Sequence, residues 1–312
     1  MTTMWNIKEK SIIICSIVRN AEKGLIRNIP EIKRLCQMFR GYKVFVYEND
    51  STDKTKQLLQ EWHDSAPDNV FVSLNDTSAQ PTIPSSSEVP GINPFYSYKR
   101  IDKMATLRNA YMQFVDDMGW SADYIVVVDL DVARISADNI MSSFVREDWD
   151  AVTAFGYSTS PKLKRRYHDT YALTELGDEA NPQSEDKIVK LADKYAKLKG
   201  EDSWIRVFSA FGGLAIYRFE CVKGMRYNVM KNDDLRVQVR CEHYSIYHQM
   251  KQRGFDRVYI NPAMSLKYQN LTLKIIYNSA KRIISRIGGG KLTPQYHETI
   301  SLLYNLENEM AA

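Results

Sequence analysis

Residues Ser11 to Val18 form an unbroken apolar, β-branched run, the pattern of a strand covered on both faces. Behind it Leu25, Ile29, Ile32, Leu35 and Phe39 recur at helical spacing, and Pro30 among them requires that the first turn of this helix lie close by. Lys43 to Tyr47 reads as a second strand, and the polar stretch Glu48 to Asp53 opens a helix that carries Leu58, Leu59 and Trp62. Strand, helix, strand, helix in this order predicts a doubly wound, mostly parallel α/β sheet with its ligand at the C-terminal strand ends.

From Thr77 to Tyr98 the chain turns to Pro, Ser and Asn without a period, which predicts a long surface loop able to cover a substrate. A helix over Arg100 to Met118 then places Ile101, Met104, Met112 and Val115 on one face, with Arg108 among them. An inward arginine needs an anionic partner, either a carboxylate of the fold or a nucleotide phosphate. Asp150 to Gly156 reads as a further strand, Leu176 to Asp202 as a solvated, partly helical excursion, and Arg257 to Ile260 as a short strand ended by Asn261-Pro262. Between them Phe211-Gly212-Gly213 suggests a turn approached closely by ligand or backbone. Leu271 to Ile287 gathers its apolar residues on one helical face and Lys274, Lys281 and Arg282 on the other. This basic amphipathic helix would pack on the core or lie on an anionic membrane surface, with Gly288-Gly289-Gly290 freeing it from the C-terminal tail.

At 312 residues and 44% hydrophobic content the chain can bury a full core, which excludes a disordered or fibrous protein. Its 42 basic and 38 acidic residues are interspersed and leave a net charge of +4, too mild to indicate a nucleic-acid partner. The longest apolar run is far too short to span a bilayer and the first ten residues carry no signal pattern, so a cytoplasmic place, on the inner face of the membrane if peripheral, is expected. Cys15, Cys36, Cys221 and Cys241 lack metal or redox spacing and read as reduced structural thiols.

The chemistry concentrates at Tyr124-Ile-Val-Val-Val-Asp129-Leu-Asp131, an apolar strand ending in two carboxylates one residue apart. Alternate strand residues point the same way, so Asp129 and Asp131 can project together where open α/β sheets bind ligands. Two hard oxygen donors suit Mg²⁺ or Mn²⁺, whose other ligands would be water and the oxygens of a nucleotide diphosphate. A strand running into an Asp-rich turn is the plainer alternative.

Five blocks in order carry a resemblance to a known group: Tyr47 to Thr55, Arg100 to Asn109, Asp129-Leu-Asp131, Tyr167 to Leu173, and Cys241-Glu242-His243-Tyr244-Ser245. The chain resembles GT-A type glycosyltransferases, and among them the capsule-associated α-1,3-mannosyltransferase-like enzymes, over roughly Ser11 to Tyr268. The resemblance implies a GT-A type, Rossmann-like, mostly parallel sheet flanked by helices over residues 1–268, with an amphipathic helical appendage over 269–312. It implies transfer of a mannose-like hexose from a GDP- or UDP-linked sugar to a glycan or lipid-linked saccharide in surface polysaccharide synthesis, with retention of anomeric configuration favoured over inversion. Arg19, Asn20, Glu48, Arg108, Asp129, Gly212 and Gly213 would surround the donor. Asp131 and Asp129, with His243 as a further candidate ligand, would hold the metal, and Glu242 and Asp169 are the candidate catalytic carboxylates. Ser51 and Asp53 read as helix caps; Glu242 could equally be a helix-start carboxylate, Asp169 a loop cap and His243 a structural residue. Such relatives are usually anchored secretory proteins, whereas no anchor is evident here, which fits a bacterial or viral enzyme better.

Two other enzymes fit less well. A haloacid dehalogenase-type phosphatase also ends a strand in Asp-x-Asp, but that motif opens its domain, whereas two strand-helix units precede it here. A sugar nucleotidyltransferase would need a Gly-rich loop after the first strand, and Cys15 to Asn20 holds no glycine. A binding module that has lost turnover remains the non-enzyme alternative.

Overall fold

The computed structural model describes residues 7–76, 82–159, 165–198 and 202–269. Its centre is β1 (Ser11–Val18), flanked by β2 (Gly41–Asn49) and β4 (Tyr124–Val128), all parallel. β3 (Val70–Asn75) continues the parallel side beyond β2. On the other side β9 (Leu214–Arg218) runs antiparallel between β4 and β5 (Ala151–Thr159), and β10 (Val258–Gln269) pairs parallel with β5. The sheet order is β3-β2-β1-β4-β9-β5-β10-β8-β7, with β8 (Ile205–Ser209) and β7 (Thr174–Glu175) at the far edge and β6 (Arg165–Tyr167) beside β5. Only β6, β8 and β9 run against the common direction, so the sheet is mixed but mostly parallel.

Both faces of the central strands are covered, and side-chain alternation divides the interior into two cores. Ile12, Ile14, Val44, Val46, Val126 and Val128 face α1 (Glu22–Cys36), α2 (Thr55–Asp64) and α4 (Ala137–Met141). Ile13, Cys15, Phe45, Ile125 and Val127 face α3 (Tyr98–Asp117) and α7 (Glu242–Gln252). The continuous apolar runs of β1 and β4 are therefore what a doubly covered sheet requires. The short α6 (Phe219–Val222) comes directly after β9, and α5 (Glu185–Tyr195) packs against β6. All four cysteines are buried and unpaired.

Several expectations need correction. Pro30 stands in the middle of α1, not its first turn; it lies on the solvent face, as does Ile26, whose carbonyl it deprives of a partner. β3 gives no alternating signal because only Val70 of it is fully buried. The Leu176 to Asp202 excursion is not solvated throughout, since α5 buries Ile188, Leu191 and Tyr195. Pro262 does not end the last strand: it falls at an irregularity in the β5 pairing between Asn261 and Ser265, where no ladder donor is needed. Of the Thr77 to Tyr98 loop, residues 77–81 lie outside the described residues, as do the appendage over 270–312 and the helix expected at Leu271 to Ile287. Among the described residues no helix is long and apolar enough to cross a membrane.

Candidate active site

A cavity of about 540 Å³ opens over the C-terminal ends of β1 and β4, with α3 and the start of α7 as walls. Asp129 and Asp131 come directly after β4 and both line it. Asp129 is largely covered, whereas Asp131 is exposed. Their loop is held from two sides. The Asp129 amide donates to the carbonyl of Gly213 at 2.9 Å, and the buried Asn28 of α1 donates to the carbonyls of Leu130 and Val132 at 3.0 and 2.8 Å while accepting from the Ile135 amide. Gly24, one helical turn before Asn28, lets α1 approach so closely that a Cβ there would lie 2.7 Å from the Asp131 Cα.

Arg108, 4% exposed, resolves the two readings of the inward arginine by joining them: its partner carboxylates belong to the cavity itself. Nε donates to Glu242 at 3.0 Å and Nη2 lies 3.6 Å from Asp129, while Nη1 is buried without a hydrogen-bond partner. Burial raises the Glu242 carboxyl, but Arg108, joined by His243, Arg100 and a backbone hydrogen bond, outweighs it and holds the group down at about 2. Asp129 and Asp169 go the other way. Burial, opposed by Arg108 and reinforced by Asp131 and Glu242, pushes the Asp129 carboxyl up to about 7. Burial together with the Glu242 and Asp129 charges does the same to Asp169, again up to about 7. Asp169 has φ +67 and accepts from the Gly212 amide at 3.3 Å.

His243, 1% exposed, stacks on Phe211 at 3.8 Å, meets the edge of Tyr227, and has neither ring nitrogen hydrogen-bonded. Burial and the neighbouring Arg108 keep it neutral. Its Nε2 lies 3.8 Å from Glu242. Among the described residues no three His, Cys, Asp or Glu side chains gather to hold a metal, so His243 is not assembled with Asp129 and Asp131 as a ligand set. The two aspartates nonetheless fit a hard divalent ion: they offer oxygens only, Asp131 faces solvent, and a cation would offset the burial and the Asp131 repulsion that together raise Asp129.

Arg19 and Asn20, at the end of β1, line the cavity, and Asn20 adopts φ +50. Glu48 does not line it; its fully buried carboxylate accepts from the amides of Ser51 and Asn75 at 2.7 and 3.3 Å. The glycine pair does not line it either. Gly212 has φ +65, and a Cβ there would stand 2.3 Å from the Ala154 carbonyl, so backbone rather than ligand explains the small residue. Ser51 accepts from the Asn20 amide, and Asp53 from the amides of Thr55 and Glu22, pinning the starts of both helices. Sequence reasoning missed Gly24, Asn28 and Tyr268. Tyr268 of β10 stacks on His168 and reaches Asp129 at 3.4 Å.

The sequence matches the family described as Cryptococcal mannosyltransferase 1 over residues 11–248. The chain belongs to that family. Its members are glycosyltransferases, and the match spans all five blocks on which the resemblance rests. A search of curated proteins found no match. Similar solved structures include a mannosyltransferase from Pyrobaculum calidifontis in complex with GDP-Man and Mn²⁺, at 12% identity and TM-score 0.45, covering 94% of this chain and 68% of that one. TarS of S. aureus, residues 1–349, shares 13% identity at TM-score 0.44, covering 95% and 71%. Glucosyl-3-phosphoglycerate synthase from Mycobacterium tuberculosis, in complex with Mn²⁺, UDP and phosphoglyceric acid, shares 12% at TM-score 0.42, covering 93% and 84%. At these scores no residue's role transfers from them.

Proposed function

We propose that this member of the family transfers a mannose-like hexose from a nucleotide diphosphate sugar to a glycan acceptor. The observation that carries the reading is the pairing of Asp129 and Asp131 at the end of β4, beneath a cavity that also holds Arg108, Glu242 and Asp169. Asp131 and Asp129 would hold Mn²⁺ or Mg²⁺, which when bound neutralises the charge of the leaving diphosphate. Arg19 and Asn20 border the nucleotide end. Arg108, fixed by Glu242 and with one nitrogen still free, is placed to donate to a phosphate oxygen.

As the anomeric bond breaks, positive charge builds on the sugar, and a carboxylate close to it lowers the barrier. Of the two candidates Asp169 suits this better, because among the described residues no cation pairs with it directly, whereas Glu242 is already committed to Arg108. Glu242 then acts as the anchor that orients Arg108. Retention of configuration is proposed on the family resemblance.

The test is a thermal-shift panel of UDP, GDP, CDP and ADP with Mn²⁺ or EDTA, on the wild type and on Asp131→Ala. Stabilisation by one nucleotide, lost with EDTA and in the variant, is expected. No shift with any nucleotide would overturn the reading.

A further inference from the structure

The cavity is lined by a third arginine, besides Arg19 and Arg108, that the donor chemistry does not use. Arg100 lies in the first turns of α3, eight residues before Arg108 and on the same face, which sets the two about 12 Å apart along the helix. Met104 lies between them, so Arg100 belongs to a separate stretch of wall, away from Asp129 and Asp131.

Three observations define what it is prepared for. Among the described residues Arg100 forms no ion pair: its Nη1 donates to the Phe95 carbonyl at 3.0 Å and its Nε is buried with no hydrogen-bond partner. A guanidinium nitrogen removed from water without an acceptor is costly, and a ligand oxygen in the cavity would remove the cost. The guanidinium also sits over an aromatic ring, with its carbon 3.9 Å from the centre of Phe95, a contact that restricts where its donors can point. Beside it stand Tyr96 and Tyr171, whose rings lie 4.6 Å apart, so the same stretch of wall is aromatic. The cavity floor, by contrast, carries the carboxylates Asp129, Asp131, Asp169 and Glu242, with Arg108 paired to Glu242 and its remaining nitrogen assigned above to the donor phosphate.

We infer that Arg100, with Phe95, Tyr96 and Tyr171, forms an acceptor subsite for a saccharide bearing an anionic group, either a phosphate or a carboxylate. The inference deepens the proposed function and rests on it, since it assigns the donor to the Asp129 end. The fork of Arg100 takes the anion, the aromatic wall takes the sugar ring, and the reacting hydroxyl is directed toward Asp169.

The test is calorimetric titration of the whole protein, preloaded with Mn²⁺ and with whichever of GDP or UDP stabilises it, using mannose 6-phosphate, glucuronate and methyl mannoside as probes. Wild type is expected to bind a charged probe at least about tenfold more tightly than methyl mannoside, with R100Q reducing that preference to within about twofold and R100K keeping part of it. The tighter of the two charged probes identifies the anion as phosphate or carboxylate. Equal binding of all three sugars, absence of binding by any of them, or a preference that survives in R100Q would overturn the subsite. Wild type that no nucleotide stabilises would instead count against the glycosyltransfer reading, and the same titrations without nucleotide would then decide the fate of Arg100 alone.

Discussion

Asp169 and Glu242 line one cavity in opposite electrostatic settings, and substitutions separate them. Asp169→Asn is expected to lower kcat by about a hundredfold or more without lowering the melting temperature at pH 8, because it removes a carboxylate that burial and its neighbours disfavour. Glu242→Gln leaves Arg108 buried beside a neutral amide and is expected to cost about 3–5 kcal/mol of stability in denaturant titrations. The sign of the shift sets the pH dependence. The folded-state Glu242 is held at about 2, below its ordinary 4.5, so its stabilisation is complete above pH 4.5 and is lost as pH falls toward 2, amounting to about 3 kcal/mol. Melting curves across that window should show a larger loss in wild type than in Glu242→Gln, the difference reporting this one carboxylate. At this scale the sequence was legible where a residue contradicts its surroundings. Arg108 interrupts an apolar helix face, and Asp129 and Asp131 end an apolar strand. Glu48 was misplaced because a carboxylate at a strand end looks the same whether it faces a ligand or, as here, two backbone amides.

Among the elements, α1 serves the site from behind, without lining its cavity. Gly24 and Asn28 occupy its inward face one turn apart and support the backbone of the Asp129–Asp131 loop. Asn28→Ala leaves the carbonyls of Leu130 and Val132 and the Ile135 amide without their partner, a loss of about 2–4 kcal/mol. Gly24→Ala forces α1 away from the loop and is expected to raise the Mn²⁺ concentration needed for half-maximal activity by about tenfold or more, with kcat at saturating metal much less affected. Metal titrations of steady-state rate read both terms. Neither residue announced itself in the sequence, since a glycine inside a helix and one asparagine on an apolar face have many commoner explanations. The strands were easier: β1, β2 and β4 were legible because burial on both faces removes every polar interruption. β10 was cut short in reading because Pro262 ordinarily stops a strand, and only the register shift against β5 shows how it is accommodated.

For the molecule as a whole, the described part of the sheet runs to Gln269 in β10. We propose that residues 270–312 are an appendage to this domain, so that their removal is expected to leave a cooperative melt and the nucleotide-dependent thermal shift intact, which circular dichroism and the same shift assay would check. Loss of either would show that the segment completes the fold.

The sheet also keeps its two cores apart. The helix that supports the Asp129–Asp131 loop packs in one, and the helix that carries Arg100 packs in the other. Side chains in different cores share few neighbours, so changes at Gly24 or Asn28 and changes around Arg100 should combine additively. On the proposed reading, a change of acceptor at the Arg100 wall then leaves donor handling at the other end as it was, so that one scaffold can serve more than one acceptor.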